Sequence, residues 1–224
     1  MNIVNLKKYS IYCGNSFILK LSHLKDLVLF NCCEGLQCYV IQKKLKINHI
    51  SRIILTDLSI NNTAGLLGLL SSLNSIGRVK DLHIYGPLGL EKYLDFGKKY
   101  SHTNFGYVLY IHILTDGLSI NHGKYRIYSL TNNSSYEFFI LCREQAGKFR
   151  MKRTSNNYVK PSPLYSSLKI GKNFLLPDGL ALDGHKFTYT SFKGQNCLFI
   201  LNKFYDKTFT RNVIQDIIIL NMNK

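Results

Sequence analysis

The sequence contains no tryptophan, and only 13 of its 224 residues are aspartate or glutamate. It has no apolar run near the ~20 residues needed to cross a bilayer, so no membrane-spanning helix is expected. The stretch from Met1 to Phe30 lacks the charged, then apolar, then small pattern of a signal peptide. It also lacks the Arg- and Ser-rich pattern of a transit peptide, so the product is expected to work where it is made. No CxxC pair occurs among the six cysteines, Cys13, Cys32, Cys33, Cys38, Cys142 and Cys197. Adjacent Cys32 and Cys33 cannot form an unstrained disulfide with each other. The expectation is reduced, mostly buried thiols in an intracellular protein. A zinc knuckle built from Cys32, Cys33 and Cys38 lacks the usual ligand spacing.

What is present is a chain able to bury one sizeable core. At 224 residues and 46% hydrophobic content, one domain is the expectation. Lys and Arg number 29, giving a net charge of +16 and a pI near 9.6. That balance is the electrostatic footprint of a protein that meets phosphates. Asn, Ile, Lys and Tyr are abundant, the residue usage of an AT-rich genome such as that of a plastid, and such codons also enrich lysine.

The chain is organised around residues 51–75. Ile53, Ile54 and Leu55 form an apolar run too short for a helix, which predicts a strand buried on both faces. Leu66, Leu67, Leu69, Leu70 and Leu73 follow at helical spacing and would cover it. Between them lies the polar loop Thr56 to Asn62, leaving the carboxyl end of the strand, where α/β proteins place their chemistry. Earlier strands are predicted at 3–6, 16–21 and 26–30. A helix after Leu36 carries Lys43, Lys44 and Lys46 on a solvated side. A strand at 81–85 leads through Gly86-Pro87 to a helix from Glu91 to Lys99. Tyr107 to Leu114, Lys124 to Leu130 and Glu137 to Leu141 are read as strands of a second sheet. Strands are also predicted at 186–192, 197–201 and 217–220, with a helix from Asp206 to Gln215.

The loop and its frame resemble the metal motif of tRNase Z, the metallo-β-lactamase-superfamily endonuclease that trims tRNA 3′ ends. There a strand ends in Thr or Ser, followed by His-x-His-x-Asp-His and x-x-Gly-Leu-x-Gly-Leu-Leu. Here Thr56 and Gly65-Leu66-Leu67-Gly68-Leu69-Leu70 keep the frame. The ligand positions are Asp57, Ser59, Asn61 and Asn62, with Asn61 at the place of the family's catalytic Asp. Phe30-Asn31-Cys32-Cys33-Glu34-Gly35-Leu36-Gln37 is similar to the family's Phe-Asp-Cys-Gly-Glu-Gly-Thr-Gln. Leu82-His83-Ile84-Tyr85-Gly86-Pro87 matches a Leu-x-Ile-Tyr-Gly-Pro segment. By the same register, two further ligand positions fall at Asn132 and Asn202. His112 and His122 are out of register and read as satisfied surface or edge histidines. The likeness runs over about residues 26–204, close to the divergent tRNase Z-like reading frames of red-algal plastids. The family's later His-Glu-Ala-Thr and His-Ser-Thr segments have no counterpart before Lys224, so the C-terminus reads as truncated.

Residues 142–172 carry Arg143, Lys148, Arg150, Lys152, Arg153, Lys160, Lys169 and Lys172. The stretch from Pro161 to Lys172, with Pro163, resembles the exit of the family's substrate-gripping arm. Lys148, Arg150, Lys152, Arg153, Lys160 and Pro163 are therefore the expected RNA-binding residues, since a basic projecting segment can follow an RNA backbone.

The resemblance implies one metallo-β-lactamase-like domain over 1–224, a four-layer αββα sandwich of α/β class. The family uses two zinc ions. Zinc and manganese sites need imidazole and carboxylate ligands, and asparagine is a neutral, weak ligand that cannot act as a base. The expectation is that the metal is lost and that Asp57, Ser59, Asn61, Asn62, Asn132 and Asn202 still converge on one cleft. Two functions stay open. One is a non-catalytic tRNA- or RNA-binding protein linked to tRNA 3′-end processing, paired with itself or with an active relative in the plastid. The other is an active tRNA 3′-endonuclease using metal ligands not yet placed.

Overall fold

In a computed structural model, the chain is described over residues 2–5, 16–20, 25–132, 135–143, 148–156, 162–189, 196–200 and 217–221. It divides into two compact units, Met1–Ile140 with Asn196–Lys224, and Leu141–Gln195.

The larger unit is built on two sheets. The first has the order β1 (Asn2–Asn5), β2 (Phe17–Lys20), β3 (Leu27–Phe30), β4 (Ile50–Ile54), β5 (Leu82–Gly86) and β6 (Leu109–Ile113). β1, β2 and β3 pair antiparallel, while β3, β4, β5 and β6 run parallel. Parallel neighbours need a crossover of a dozen or more residues. The crossovers are α1 (Leu36–Gln42), then α2 (Ile60–Thr63) with α3 (Leu66–Ser75), then α4 (Leu90–Ser101).

Alternation decides which side chains meet which layer. Leu27, Leu29, Ile53, Leu55, Leu82 and Ile84 pack with Leu36, Val40, Leu66, Leu69, Leu70, Leu73 and Leu94 from the helices. The intervening residues point the other way. Phe17 and Phe30 stack at 4.3 Å, and both reach Phe199, at 4.8 and 6.0 Å; Phe30 also meets Phe138 edge-on at 5.4 Å. Phe138 and Phe199 belong to the second sheet, so these four rings pack the two sheets against each other. That sheet has the order β13 (Ile217–Asn221), β12 (Asn196–Ile200), β9 (Ser135–Cys142), β8 (Tyr125–Asn132) and β7 (Gly117–His122). A two-faced strand was expected at 53–55, and β4 is buried on both sides because helices cover one face and a second sheet covers the other.

The larger unit thus has the expected two sheets face to face, with helices after Leu36, Ala64 and Leu90 on the outer side of the first. The helix expected over 206–215 lies outside the described residues. Four expectations are corrected. Strand 107–114 was placed in the second sheet, but β6 pairs parallel with β5 and closes the first. The segment 117–122, read as no element, is a strand paired with β8. The segment 186–189, read as strand, begins as a 3₁₀ turn at Gly184–Phe187, because the Asp183 carboxylate accepts from the His185 N–H and tightens the chain. Cys33, expected as a free thiol, is disulfide-bonded, whereas Cys32, Cys38, Cys142 and Cys197 are in no disulfide. Adjacency excludes a bond to Cys32 and leaves Cys33 open to a partner distant in sequence.

One buried cation was missed altogether. Arg78 is 3% exposed and donates to the carbonyls of Lys80, Asn48 and Asp81 at 2.7, 3.2 and 2.7 Å. It ties three loop carbonyls together below Tyr107, whose hydroxyl burial pushes up to about 12.

The smaller unit has its own apolar centre of Leu168, Leu182 and Phe187, with Phe149, Tyr165, Phe174 and Leu176 packed on it. It contains α5 (Met151–Asn156), α6 (Leu164–Lys169) and a hairpin of β10 (Phe174–Leu175) and β11 (Ala181–Leu182). Residues 148–150 run antiparallel to 187–189, with Arg150 N–H donating to Phe187 at 2.8 Å and Tyr189 N–H to Lys148 at 2.9 Å.

Candidate functional site

β3, β4 and β5 end side by side, so the loops that leave them lie along one edge of the first sheet. The middle loop is held from both neighbours. Asn31 leaves β3 with φ 54°, a left-handed conformation that Asn adopts more readily than most side chains. Its N–H donates to Ile54 at 2.8 Å, and its side-chain oxygen accepts from the Thr56 N–H at 2.9 Å and sits 3.1 Å from the Thr56 hydroxyl. Leu55 N–H donates to Tyr85 at 2.8 Å on the β5 side, and the Thr56 carbonyl accepts from Tyr136 N–H of β9 at 3.0 Å. Thr56 therefore links the two sheets, its N–H held from the β3 side and its carbonyl from β9.

Beyond Thr56 the loop closes on Asp57. One carboxylate oxygen accepts from Ser59 N–H at 2.8 Å, a turn that aspartate makes with the backbone two residues on. The other accepts from the Asn62 side-chain amide at 2.8 Å and lies 3.2 Å from the Thr56 hydroxyl. That amide also donates to the Thr56 oxygen at 3.2 Å. A hydroxyl has one proton, so Thr56 shares it between Asn31 and Asp57 while accepting from Asn62. Asn62 itself is 3% exposed. Its carbonyl accepts from Cys32 N–H at 2.7 Å, and Gly65 N–H returns a bond to Cys32 at 3.0 Å. Only glycine permits this approach, because a Cβ at Gly65 would stand 2.2 Å from the Cys33 carbonyl oxygen. Burial pushes the Cys32 thiol well above its usual range, so it stays protonated and is no nucleophile.

Asp57 and Asn62 are in contact, while Ser59 and Asn61 are exposed on the same short loop. Asn132 ends β8, and Asn202 lies outside the described residues. At the four loop positions the donor set does not fit a zinc pair. It contains no imidazole, the Asp57 carboxylate is engaged at both oxygens, and the buried Asn62 turns an N–H toward it. Among the described residues, no three His, Cys, Asp or Glu side chains are grouped as a metal ion would need.

A second polar cluster was unforeseen. Arg52 of β4 donates to the Tyr125 hydroxyl of β8 at 2.8 Å, bridging the sheets. Beside it, His83 Nδ1 and His112 Nε2 are 3.0 Å apart, with Tyr110 stacked on His83 and Tyr85 on His112 at 4.9 and 4.4 Å. Desolvation first, then the Arg52 charge, holds both imidazoles below their usual pKa. His112 thus has a partner, and His122 stacks on Tyr125 at 4.7 Å. The β-period of 83–85 and 110–112 carried this signal, since parallel pairing brings alternate residues of both strands to one face.

In the smaller unit, Lys148, Lys152, Arg153 and Pro163 are exposed, and Lys160 lies outside the described residues. Arg150 is half-buried with its guanidinium 4.2 Å from the centre of the Tyr189 ring. Arg153 donates to the Lys186 carbonyl at 2.9 Å. Pro163 precedes α6, where its missing N–H costs nothing.

No protein-family model matches the chain. Against curated proteins it is 35% identical to the uncharacterized protein ycf56 of Pyropia yezoensis, over 86% of this chain and 74% of that protein. The corresponding protein of Porphyra purpurea is 34% identical, over 81% and 70%. The chain belongs to the ycf56 family. It is also ribonuclease Z-like, at 31% identity to ribonuclease Z of Nostoc sp. over 76% of this chain. The chain spans about half, 54%, of the length of that enzyme. Human tRNase Z, short form, is a solved structure with a TM-score of 0.48 and 16% identity, over 69% of this chain and 79% of its own.

Proposed function

We propose that this chain is a non-catalytic RNA-binding protein of the ribonuclease Z lineage, linked to tRNA 3′-end processing in the plastid. The observation that carries the reading is the Asp57–Asn62 contact at 2.8 Å, which fills with a hydrogen bond the place where the resembled motif brings metal ligands together. A hydrogen-bonded amide and carboxylate can neither polarise a phosphate nor generate hydroxide as a metal ion does. What remains is grip. Lys148, Lys152 and Arg153 are exposed in the smaller unit, within a chain of net charge +16. Such cations position a phosphate backbone without reading its sequence. The protein acts as a homodimer or beside an active relative, so that one subunit's basic unit holds tRNA for another's site.

The experiment measures tRNA affinity against salt, and cleavage of a precursor tRNA with zinc or manganese added. Affinity should fall steeply with salt, and replacing Arg150, Lys152, Arg153 and Lys160 by Ala should flatten the log–log slope by about three. Replacing Lys43, Lys44, Lys46 and Lys80 instead should have a smaller effect; equal losses would leave only non-specific polyanion binding. A second reading, an active 3′-endonuclease, is favoured by the 31% identity to ribonuclease Z. Metal-dependent cleavage at the 3′ end would establish it and discard the first.

A further inference from the structure

α3 and α4 leave a groove of about 490 Å³ between them, lined by Leu67, Tyr93, Phe96, Gly97, Tyr100 and Ser101. The α4 residues fall at i, i+3, i+4, i+7 and i+8 from Tyr93, a single helical stripe turned away from the sheet. Gly97 opens the floor, since a Cβ there would meet Leu67 at 2.7 Å. Phe96 is 57% exposed and Tyr100 74% exposed, and the rings lie 6.3 Å apart with only 17° between their planes. Two near-parallel exposed rings are costly to leave in water and form a ready stacking surface.

The charge around the rings has one sign in excess. Lys92 and Lys99 flank Phe96 at i−4 and i+3, with Asp95 between them, and the Lys99 ammonium lies 5.9 Å from the Tyr100 ring centre. On the facing helix, Leu66 to Ser75, no residue is ionisable. The groove also reaches the loop described above, because Tyr93 donates its hydroxyl to the Thr63 carbonyl at 3.4 Å, one residue beyond Asn62. Aromatic rings on which bases can stack, with cations alongside to meet the backbone, are the surface that single-stranded nucleic acid requires.

We propose that the α3–α4 groove binds an unpaired stretch of RNA, its bases stacked on Phe96 and Tyr100 and its phosphates met by Lys92 and Lys99. This rests on the RNA-binding reading but places the contact on residues outside the smaller unit, for a strand without secondary structure. A stacking surface of this kind tolerates any base, so selectivity is for single strands over duplexes.

The absence of tryptophan supplies the test. A Phe96→Trp variant has one indole, and stacking with a base quenches its fluorescence. Titration with a short oligouridylate should quench it, a duplex of equal length should not, and added salt should reverse the effect. In the otherwise native chain, Phe96→Ala and Tyr100→Ala should each weaken oligonucleotide binding about tenfold, without changing the circular dichroism. The smaller-unit variant lacking Arg150, Lys152, Arg153 and Lys160 should retain the quenching, which separates failure of that grip from failure of this groove. An unquenched indole under conditions where the protein binds tRNA overturns the proposal. So does an emission shift that follows protein concentration without RNA, which would mean that a second copy covers the groove.

Discussion

The side-chain amide of Asn62 stands 2.8 Å from a carboxylate oxygen of Asp57, and the same amide reaches the Thr56 hydroxyl at 3.2 Å. Asn62 is buried, so its loss leaves acceptors stranded. Asn62→Ala should cost about 1–3 kcal/mol, lowering the midpoint of thermal unfolding by roughly 2–4 °C per kcal/mol. Asn62→Asp should do more damage at pH 7, because it sets two carboxylates together, and should recover near pH 4 as one of them protonates. Thermal unfolding at both pH values checks this. Equal melting of Asn62→Asp and the parent at pH 7 would mean that the contact carries no stability.

Gly65 and Gly123 make a matched pair. A Cβ at Gly65 would meet the Cys33 carbonyl at 2.2 Å, whereas nothing lies within 4 Å of one at Gly123. Gly65→Ala should prevent or sharply weaken folding, because backbone must move. Gly123→Ala should leave the urea midpoint within about 0.5 kcal/mol of the parent, as surface changes do. Soluble yield and urea unfolding distinguish the two.

Phe30 touches Phe17, Phe138 and Phe199 and is fully buried. Phe30→Ala opens a cavity between the sheets and should cost about 3–5 kcal/mol. Phe30→Leu should lose less than half of that. The measurement is chemical denaturation, with near-ultraviolet circular dichroism reporting whether the remaining rings stay ordered.

Acid should destabilise the protein through the His83–His112 pair. Their folded pKa values are depressed by desolvation and by Arg52. Below about pH 6.5 the unfolded chain then binds protons that the folded chain refuses, and stability falls. His122 is depressed in the same way, Asp81 and Asp26 oppose the shifts of His83 and His122 respectively, and Tyr85, Tyr110 and Tyr125 line the cluster. A double His83→Gln, His112→Gln variant should show a shallower loss of stability between pH 7.5 and 5.5. Parallel slopes for variant and parent would exclude the pair as the cause.

The central strand and its helix were legible because both periods are strong there. Ile53 to Leu55 is too short for a helix, and the leucines from Leu66 to Leu73 repeat at helical spacing. β6 was legible as a strand but not in its partner, since alternation reports two faces and is silent on the neighbour. The crossover through α4 would have given the answer, because β5, a helix and β6 form one parallel unit. Segment 186–189 misled for a different reason: its alternation is genuine, but a single carboxylate at Asp183 tightens the backbone into a turn. At the site, the residue types at 57–62 could be read, while their mutual contacts could not. That Asn62 would turn its amide toward Asp57 depends on Asn31, in another loop, fixing Thr56 from behind.

The loop from Leu55 to Gly65 keeps its shape through bonds to Asn31, Cys32, Tyr85 and Tyr136 and among its own side chains. Its shape therefore rests on contacts within the chain, and selection for a foldable chain is uncoupled from selection for what the exposed loop positions present. Ser59 and Asn61, exposed and outside the side-chain ring of Thr56, Asp57 and Asn62, can change from lineage to lineage at little structural cost. Asn31, Asn62 and Gly65 cannot. Across a family such as this one, drift should therefore gather at the first two positions and spare the other three.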